Sequence, residues 1–153
     1  MGHSAGAHLA ALTAADPSYF NNTQVPYHHI KAAVLLDGAG YDLTSVMKTS
    51  KGLELKFYQD VFGNDPKLLK AASPTHQFTK KRPSPDYLII PISNRKITLQ
   101  QSKALATAIK SSGNHAEVFV ARNRTHMSLN QKIGAPGDGP TTAILKFLKK
   151  QLK

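Results

Sequence analysis

The sequence predicts an α/β fold in three layers, α/β/α, with a mostly parallel sheet between two layers of helices. The apolar run at residues 32–36 is typical of a strand buried on both faces, residues 87–90 predict the next buried strand, and residues 117–120 predict a last strand. Helix-forming segments alternate with these runs along the chain. Because strands that alternate with helices pair in parallel, this order predicts a parallel sheet with right-handed crossovers.

Two of the predicted helices have clear ends. An alanine-rich run begins at residue 5 and stops before Asp16 and Pro17, which end a helix. Another helix covers residues 99–112 and stops at Gly113, because glycine is the usual residue just after a helix.

The segment between the strands predicted at residues 32–36 and 87–90 is less regular. Apolar residues four positions apart predict a helix that ends near residues 63–64, and a second, short helix opens at Asp65 and Pro66. The spaced residues are Leu53, Phe57 and Val61. We expect this insertion to shape a pocket.

The chain closes with an amphipathic helix over residues 143–152. Four residues of this helix are predicted to face the core: Ile144, Leu145, Leu148 and Leu152.

Composition predicts one domain over residues 1–153. A chain of 153 residues with 41% hydrophobic content can bury one sizeable core. Because the chain has no cysteine, disulfides and thiolate metal sites are excluded, while the compartment stays open, with the cytoplasm as the default. No apolar run approaches the ~20 residues that span a bilayer, so we expect no membrane span.

The chain is strongly basic, with 20 Lys and Arg against 9 Asp and Glu and a net charge of +11. Such a charge attracts nucleic acid when basic residues form a patch with aromatic side chains between them. Here the basic clusters, at residues 80–82, 122–124 and 149–153, have no such aromatics. We therefore predict a solvated basic surface and no nucleic-acid partner.

The first six residues contain the pattern Gly-x-Ser-x-Gly, with Gly2, Ser4 and Gly6 at its fixed positions. This pattern is typical of a nucleophile elbow, a sharp turn from strand to helix that exposes a serine hydroxyl. We expect neither glycine to have room for a Cβ atom. Because so few residues precede Ser4, we also expect the elbow's strand and everything upstream of it to be absent, so that the chain is a C-terminal portion of a larger hydrolase.

A histidine follows the last predicted strand, at His126. In parallel α/β folds, functional groups gather at the carboxyl ends of the strands, where Ser4 and His126 would both lie. Serine needs a neighbouring base because its hydroxyl is a poor nucleophile, and imidazole accepts a proton near neutrality. The Ala5 N–H, at the start of the following helix, would help to hold an oxyanion.

Several blocks of the chain resemble esterase- and lipase-like α/β-hydrolases, of the carboxylesterase and arylformamidase-related group. The matching blocks are residues 2–12, 36–43, 72–74, 101–102, 125–126 and 134–138. The resemblance implies an α/β-hydrolase fold that lacks its N-terminal strands, with Ser4 as nucleophile and His126 as general base. It also implies that a second oxyanion donor comes from a glycine-rich loop upstream, which this chain does not contain.

The acid of the triad is less clear from the sequence. The resemblance implies an aspartate after the penultimate strand, where this chain has Asn94. Asparagine can accept the imidazole N–H but brings no charge to stabilise the imidazolium. Asp37, which follows the preceding strand, is the alternative. Both residues therefore remain candidates for orienting His126.

Several other polar residues have structural interpretations. The remaining histidines lack metal-ligand spacing, so we predict no metal and no cofactor. His3 is expected to line the elbow, Asp42 to stabilise a turn, and Asp138 to cap the last helix.

The sequence thus predicts a serine hydrolase that cleaves a small carboxylic ester or aryl-formamide-like amide through an acyl-enzyme, weak or inactive as this chain alone. The alternative is a non-catalytic hydrolase remnant that acts as a binding or association module. Self-association would occur through an exposed sheet edge.

Overall fold

A parallel sheet of four strands runs through the described part of the chain, residues 1–78 and 82–151 of the computed structural model. The strands are β1 (Gly2–His3), β2 (Ala32–Leu36), β3 (Asp86–Ile90) and β4 (Ala116–Val118), in this spatial order. All adjacent strands pair in parallel, as predicted. Their carboxyl ends therefore meet at one edge of the sheet.

Helices cover both faces of the sheet and connect its strands. They are α1 (Ala5–Ala15), α2 (Leu43–Thr49), α3 (Gly52–Phe62), α4 (Pro66–Ala71), α5 (Lys96–Ser111), α6 (His126–Gln131) and α7 (Gly139–Gln151). Short 3₁₀ turns occur at Pro17–Phe20, Tyr27–His29 and Pro74–Gln77.

Each face of the sheet has its own apolar core. On one face, Ala7 and Ala11 of α1 and Leu105 of α5 pack with strand residues such as Leu35. On the other face, Leu129 of α6 and Phe147 of α7 pack with the alternate strand residues. The α/β/α layering that the sequence predicts is therefore confirmed.

The strand predictions hold with small shifts, apart from the first. The second strand matches, the third begins one residue earlier, and the last is shorter than predicted, although Ala121 still bridges Ile92. The expectation that the elbow lacks its strand is wrong. Gly2 and His3 form a two-residue strand because they pair with Leu35 and Leu36 of β2.

All five predicted helices are present, as α1, α3, α4, α5 and α7. Some of their bounds and buried faces differ from the prediction. Helix α5 begins at Lys96, three residues before the predicted start, and the short helices α2 and α6 are absent from the prediction. In α7, Leu145 and Leu148 face solvent, contrary to the prediction, and Phe147 is buried instead. Leu152 lies outside the described residues.

Of the predicted basic clusters, Arg122, Lys149 and Lys150 are exposed, whereas Arg124 is partly buried and pairs with Asp138. Lys80, Lys81 and Lys153 lie outside the described residues. Within the described ranges, no helix combines the length and the hydropathy needed to cross a bilayer.

Candidate active site

Ser4 lies at the junction of β1 and α1, at the carboxyl edge of the sheet. Its backbone has φ 57° and ψ −123°, a conformation that costs free energy in a residue with a side chain. Its N–H donates to the Leu36 carbonyl of β2, which holds the turn against the sheet. The sequence motif is therefore a strained strand-to-helix turn with a serine at its apex.

The two glycines of the motif have different roles. A Cβ atom on Gly2 would lie 2.0 Å from the Gly6 carbonyl oxygen, so the turn excludes any other residue there. A Cβ on Gly6 would have no atom within 4 Å among the described residues. The expectation that both positions exclude a Cβ is confirmed for Gly2 and wrong for Gly6.

Asp37 directly follows β2 and is 1% exposed. It has φ 42°, so the two candidate residues Ser4 and Asp37 both have strained backbones. Its Oδ1 accepts from the Ile92 N–H and the Thr98 hydroxyl, at 3.3 and 3.1 Å. The carboxylate is thus buried but anchored by neighbouring donors.

His126 is the first residue of α6, after Thr125, whose side chain forms a capping box with Ser128. Its Nδ1 lies 2.7 Å from Asp37 Oδ2. We assign a proton to Nδ1 because an ionised carboxylate can accept a hydrogen bond but cannot donate one. In this tautomer the lone pair of the imidazole lies on Nε2. Burial raises the pKa of Asp37, but the hydrogen bonds from His126, Arg95 and the Ile92 N–H outweigh it and hold this pKa below its ordinary value.

Arg95 binds the same carboxylate oxygen as His126. Its Nη1 lies 2.6 Å from Asp37 Oδ2 and 3.0 Å from His126 Nδ1. Since a guanidinium has only donors, the second distance joins two donors that share one acceptor. The guanidinium therefore stabilises the charge of Asp37 beside the imidazole.

Asn94 is the other candidate for orienting the imidazole. It is exposed and lines a cavity of about 500 Å³ together with Tyr58 and Arg95. Among the described residues, no hydrogen bond joins its side chain to His126. The structure brings Asp37, and not Asn94, into contact with the imidazole.

His3, the residue before Ser4, contacts His126. The ring of His3 packs on that of His126 with centroids 4.4 Å apart, and its Nε2 lies 2.9 Å from the His126 carbonyl oxygen. Within residues 1–78 and 82–151, no hydrogen bond links the Ser4 hydroxyl to the imidazole.

A cavity of about 450 Å³ opens beside Ser4. Its polar wall includes Ser4, Asp37 and Arg95, and α3 supplies much of its apolar wall. The apolar lining residues are Leu9, Leu12, Phe57, Val61 and Phe62. The insertion around α3 thus shapes a pocket, as the sequence predicts.

His8 forms another part of the cavity wall. It is 5% exposed, and its Nε2 has no hydrogen-bond partner among the described residues. Burial lowers the pKa of this imidazole, so the ring is neutral at neutral pH. His8 therefore adds no charge to the wall around Ser4, whose charged residues are Asp37 and Arg95.

The described residues include no group of three or more His, Cys, Asp or Glu side chains that could hold a metal ion. Asp42 and Asp138 have the structural roles that the sequence predicts. Asp42 caps α2 by accepting from the Ser45 N–H, and Asp138 accepts from the Thr141 N–H near the start of α7.

This architecture also occurs in solved structures of esterases. An esterase of the bacterial hormone-sensitive lipase family matches with a TM-score of 0.68 at 20% identity. EstE5, in a crystal soaked with p-nitrophenyl butyrate, matches with a TM-score of 0.66 at 19% identity. The thermophilic esterase Est2 from the Planctomycetes species Thermogutta terrifontis matches with a TM-score of 0.61 at 21% identity. The chain has an α/β-hydrolase fold.

The matches cover 99%, 98% and 99% of this chain and 52%, 51% and 52% of the respective relatives. The chain therefore spans about half the length of these proteins. They confirm the α/β-hydrolase fold that the resemblance implies. By sequence, no protein-family model and no curated protein matches the chain.

Two contacts of this α/β-hydrolase site are missing from the sequence prediction. Arg95 stands beside Asn94 in a loop, and no spacing rule marks it as a partner of Asp37. His3 is expected to line the elbow, but its hydrogen bond to the His126 carbonyl depends on how β1 and α6 meet. Only the parallel sheet, which aligns the ends of all four strands, could have signalled these contacts.

Proposed function

We propose that the protein is a serine hydrolase that cleaves a small carboxylic ester, or an aryl-formamide-like amide, through an acyl-enzyme. The observation that carries this proposal is the 2.7 Å contact between His126 Nδ1 and the buried Asp37 carboxylate, at the sheet edge where Ser4 is held at φ 57°. The esterases that share the fold support hydrolysis of an ester.

Ser4 is the nucleophile in this mechanism, and His126 Nε2 accepts its proton as the hydroxyl attacks the carbonyl carbon. The same imidazole then donates that proton to the leaving alcohol, and later activates the water that cleaves the acyl-enzyme. Asp37 keeps the second imidazole nitrogen protonated and stabilises the imidazolium. We assign this role to Asp37, in preference to Asn94, because of the direct hydrogen bond.

The Ala5 N–H is the proposed oxyanion donor. It is the first N–H of α1, and it has no acceptor among residues 1–78 and 82–151. A negative charge that develops at the carbonyl oxygen would be stabilised by this N–H and by the positive end of the helix dipole. Removing one oxyanion donor costs about 10²–10³ in kcat, so the Ala5 N–H is expected to contribute on that scale.

A fluorophosphonate probe tests the proposal directly. The relative from Thermogutta terrifontis is phosphonylated by sarin, so a phosphonylating reagent is a suitable choice. We expect mass spectrometry to find the adduct on Ser4, and the labelling rate to be lost in Ser4→Ala and His126→Ala. Native protein that stays unlabelled while retaining its far-UV circular dichroism would refute the proposal.

Asp37 and Asn94 can be separated in the same assay. We expect Asp37→Asn to slow labelling by on the order of 10⁴, because the imidazole loses its charged partner and its correct tautomer. Asn94→Ala, an exposed position, is the matched control and should label at the normal rate. If Asn94→Ala slowed labelling strongly and Asp37→Asn did not, Asn94 would be the residue that orients the imidazole of His126.

A second candidate, an association module without catalysis, is favoured by one surface. Several large apolar residues of α1 and α3 are strongly exposed: Leu9 64%, Leu53 87%, Phe57 61% and Val61 57%. Leu53, Phe57 and Val61 are spaced along one face of α3, and Leu9, Phe57 and Val61 line the cavity beside Ser4, which follows the edge strand β1 of the described sheet. Light scattering tests this candidate, which requires a second copy to bind there. A dimer that is lost in Leu53→Lys would support it, and a monomer at high concentration would exclude it.

A further inference from the structure

Arg95 has more hydrogen-bond donors than the described contacts use. Its guanidinium carries five N–H groups in a planar fork, and only Nη1 contacts Asp37. Within residues 1–78 and 82–151, its Nη2 and Nε atoms have no acceptor. The side chain is 41% exposed, so these donors can be reached by a ligand.

The carboxylate of Asp37 is already satisfied by other hydrogen-bond donors. It already accepts from His126, Arg95 Nη1, the Ile92 N–H and the Thr98 hydroxyl. The unused side of the guanidinium is therefore available to a second anion.

Arg95 also lines the cavity beside Ser4. Among the described residues that line this cavity, it is the one permanent cation, and Asp37 is the one carboxylate. Most of the remaining wall is apolar, which strengthens the attraction between opposite charges within it. A ligand that fits such a wall has a short apolar body and one negative charge.

We propose that Arg95 forms an anion subsite, and that the preferred substrates are short esters that carry one carboxylate on the acyl chain. The inference rests on the proposed function, because it places the ester carbonyl at Ser4. The acyl chain would lie along the apolar wall, and its carboxylate would accept hydrogen bonds from the free Arg95 donors.

The other charged groups near Arg95 are few. Glu54 and Lys96 line the adjoining cavity with Arg95, and both are exposed. Tyr58 lies in both cavities, and its pKa is raised by burial and by Glu54 and lowered by Arg95. Glu54 is the group that would compete with a substrate carboxylate for the guanidinium.

Two esters of nearly equal shape and different charge test the subsite. Mono-p-nitrophenyl succinate ends in a carboxylate, and p-nitrophenyl 4-methylpentanoate ends in a neutral branched group of the same size. We expect kcat/KM to favour the anionic ester by about tenfold, as a charge-assisted hydrogen bond allows. The preference should decrease when the salt concentration rises from about 50 mM to about 500 mM.

Variants show which residue carries the preference. Arg95→Gln should remove it, measured as the ratio of the two rates, so that any general loss of activity cancels. Lys103→Met removes a cation from α5, the helix that begins just after Arg95, outside both cavities, and should keep the preference. Glu54→Gln should increase it. Equal rates for the two esters in the native protein, or a preference that persists in Arg95→Gln, would overturn the proposal.

A binding measurement separates this inference from the hydrolase proposal. In Ser4→Ala, which cannot form an acyl-enzyme, saturation-transfer NMR should detect monoethyl succinate, and the signal should disappear in Ser4→Ala/Arg95→Gln. Binding without hydrolysis in the native protein would support the subsite and refute the esterase. Hydrolysis of the neutral ester without binding of monoethyl succinate would support the esterase and refute the subsite.

Discussion

His3 Nε2 lies 2.9 Å from the main-chain carbonyl oxygen of His126, and the two imidazole rings pack at a centroid distance of 4.4 Å. His3 belongs to β1 and directly precedes Ser4, whereas His126 begins α6. The contact therefore ties the turn that carries the candidate nucleophile to the residue proposed as its base.

We predict that His3→Phe weakens this tie while keeping the ring contact. Loss of the hydrogen bond should lower the free energy of unfolding by about 1 kcal/mol. Labelling of Ser4 by a fluorophosphonate should also slow, because the imidazole is positioned less well. Urea unfolding and labelling kinetics measure the two effects. An unchanged labelling rate would mean that α6 is positioned without His3.

The glycines of the motif give a matched pair of substitutions. Gly2→Ala places a methyl 2.0 Å from the Gly6 carbonyl oxygen, a contact that backbone must move to relieve. We expect a loss of about 2–3 kcal/mol in unfolding free energy. Gly6→Ala meets no described atom within 4 Å and lies inside α1, so it should stabilise by about 0.5–1 kcal/mol. Thermal unfolding of both variants checks the prediction, which fails if Gly6→Ala is the more damaging.

Much of the fold can be read from the sequence because periodicity and end signals are local. Residues 32–36 are apolar at every position, so a strand buried on both faces follows directly. Gly63 and Gly113 end α3 and α5 at positive φ, where glycine is favoured. The helix face of α7 was harder to predict, since Leu145 and Phe147 are both apolar and only the sheet decides which is covered.

The candidate site is predicted less completely, because its contacts join distant segments. The motif around Ser4 and the position of His126 after the last strand could be found in the sequence. The choice between Asp37 and Asn94 could not, because both residues follow strands and only the packing of β2 and β3 decides which one reaches the imidazole. Arg95 was missed for the same reason.

The pH dependence of stability offers a test of the Asp37 interactions. The folded protein holds the pKa of Asp37 below its ordinary value of 3.8, so the unfolded chain binds a proton first as the pH falls. The stabilisation is complete above about pH 4–5 and is lost as the pH falls through the lowered pKa. We therefore expect the difference in unfolding free energy between native protein and Asp37→Asn to be largest near neutral pH and to shrink in acid. Urea unfolding monitored by circular dichroism measures it, and a difference that does not vary with pH would contradict the assignment.

Asp138 connects the last loop to the last helix. Its carboxylate is 4% exposed, accepts from the Thr141 N–H at 2.8 Å, and pairs with Arg124 Nη2 at 2.6 Å. The Arg124 Nε is already buried without a partner among the described residues. Asp138→Ala would therefore leave the Arg124 guanidinium, whose side chain is 19% exposed, without its ion-pair partner and also remove a helix cap, so we expect a loss of about 2–4 kcal/mol.

An exposed ion pair is the control for this effect. Asp60 pairs with Lys56 one turn away on α3, where both side chains are more than half exposed. Because solvent screens such a pair, Asp60→Ala should change the unfolding free energy by about 0.5 kcal/mol or less. Arg124→Met in the Asp138→Ala background should recover part of the loss, since the unpaired charge is then removed as well. If Asp138→Ala and Asp60→Ala have equal effects in urea unfolding, Asp138 is not the anchor of α7 that its contacts indicate.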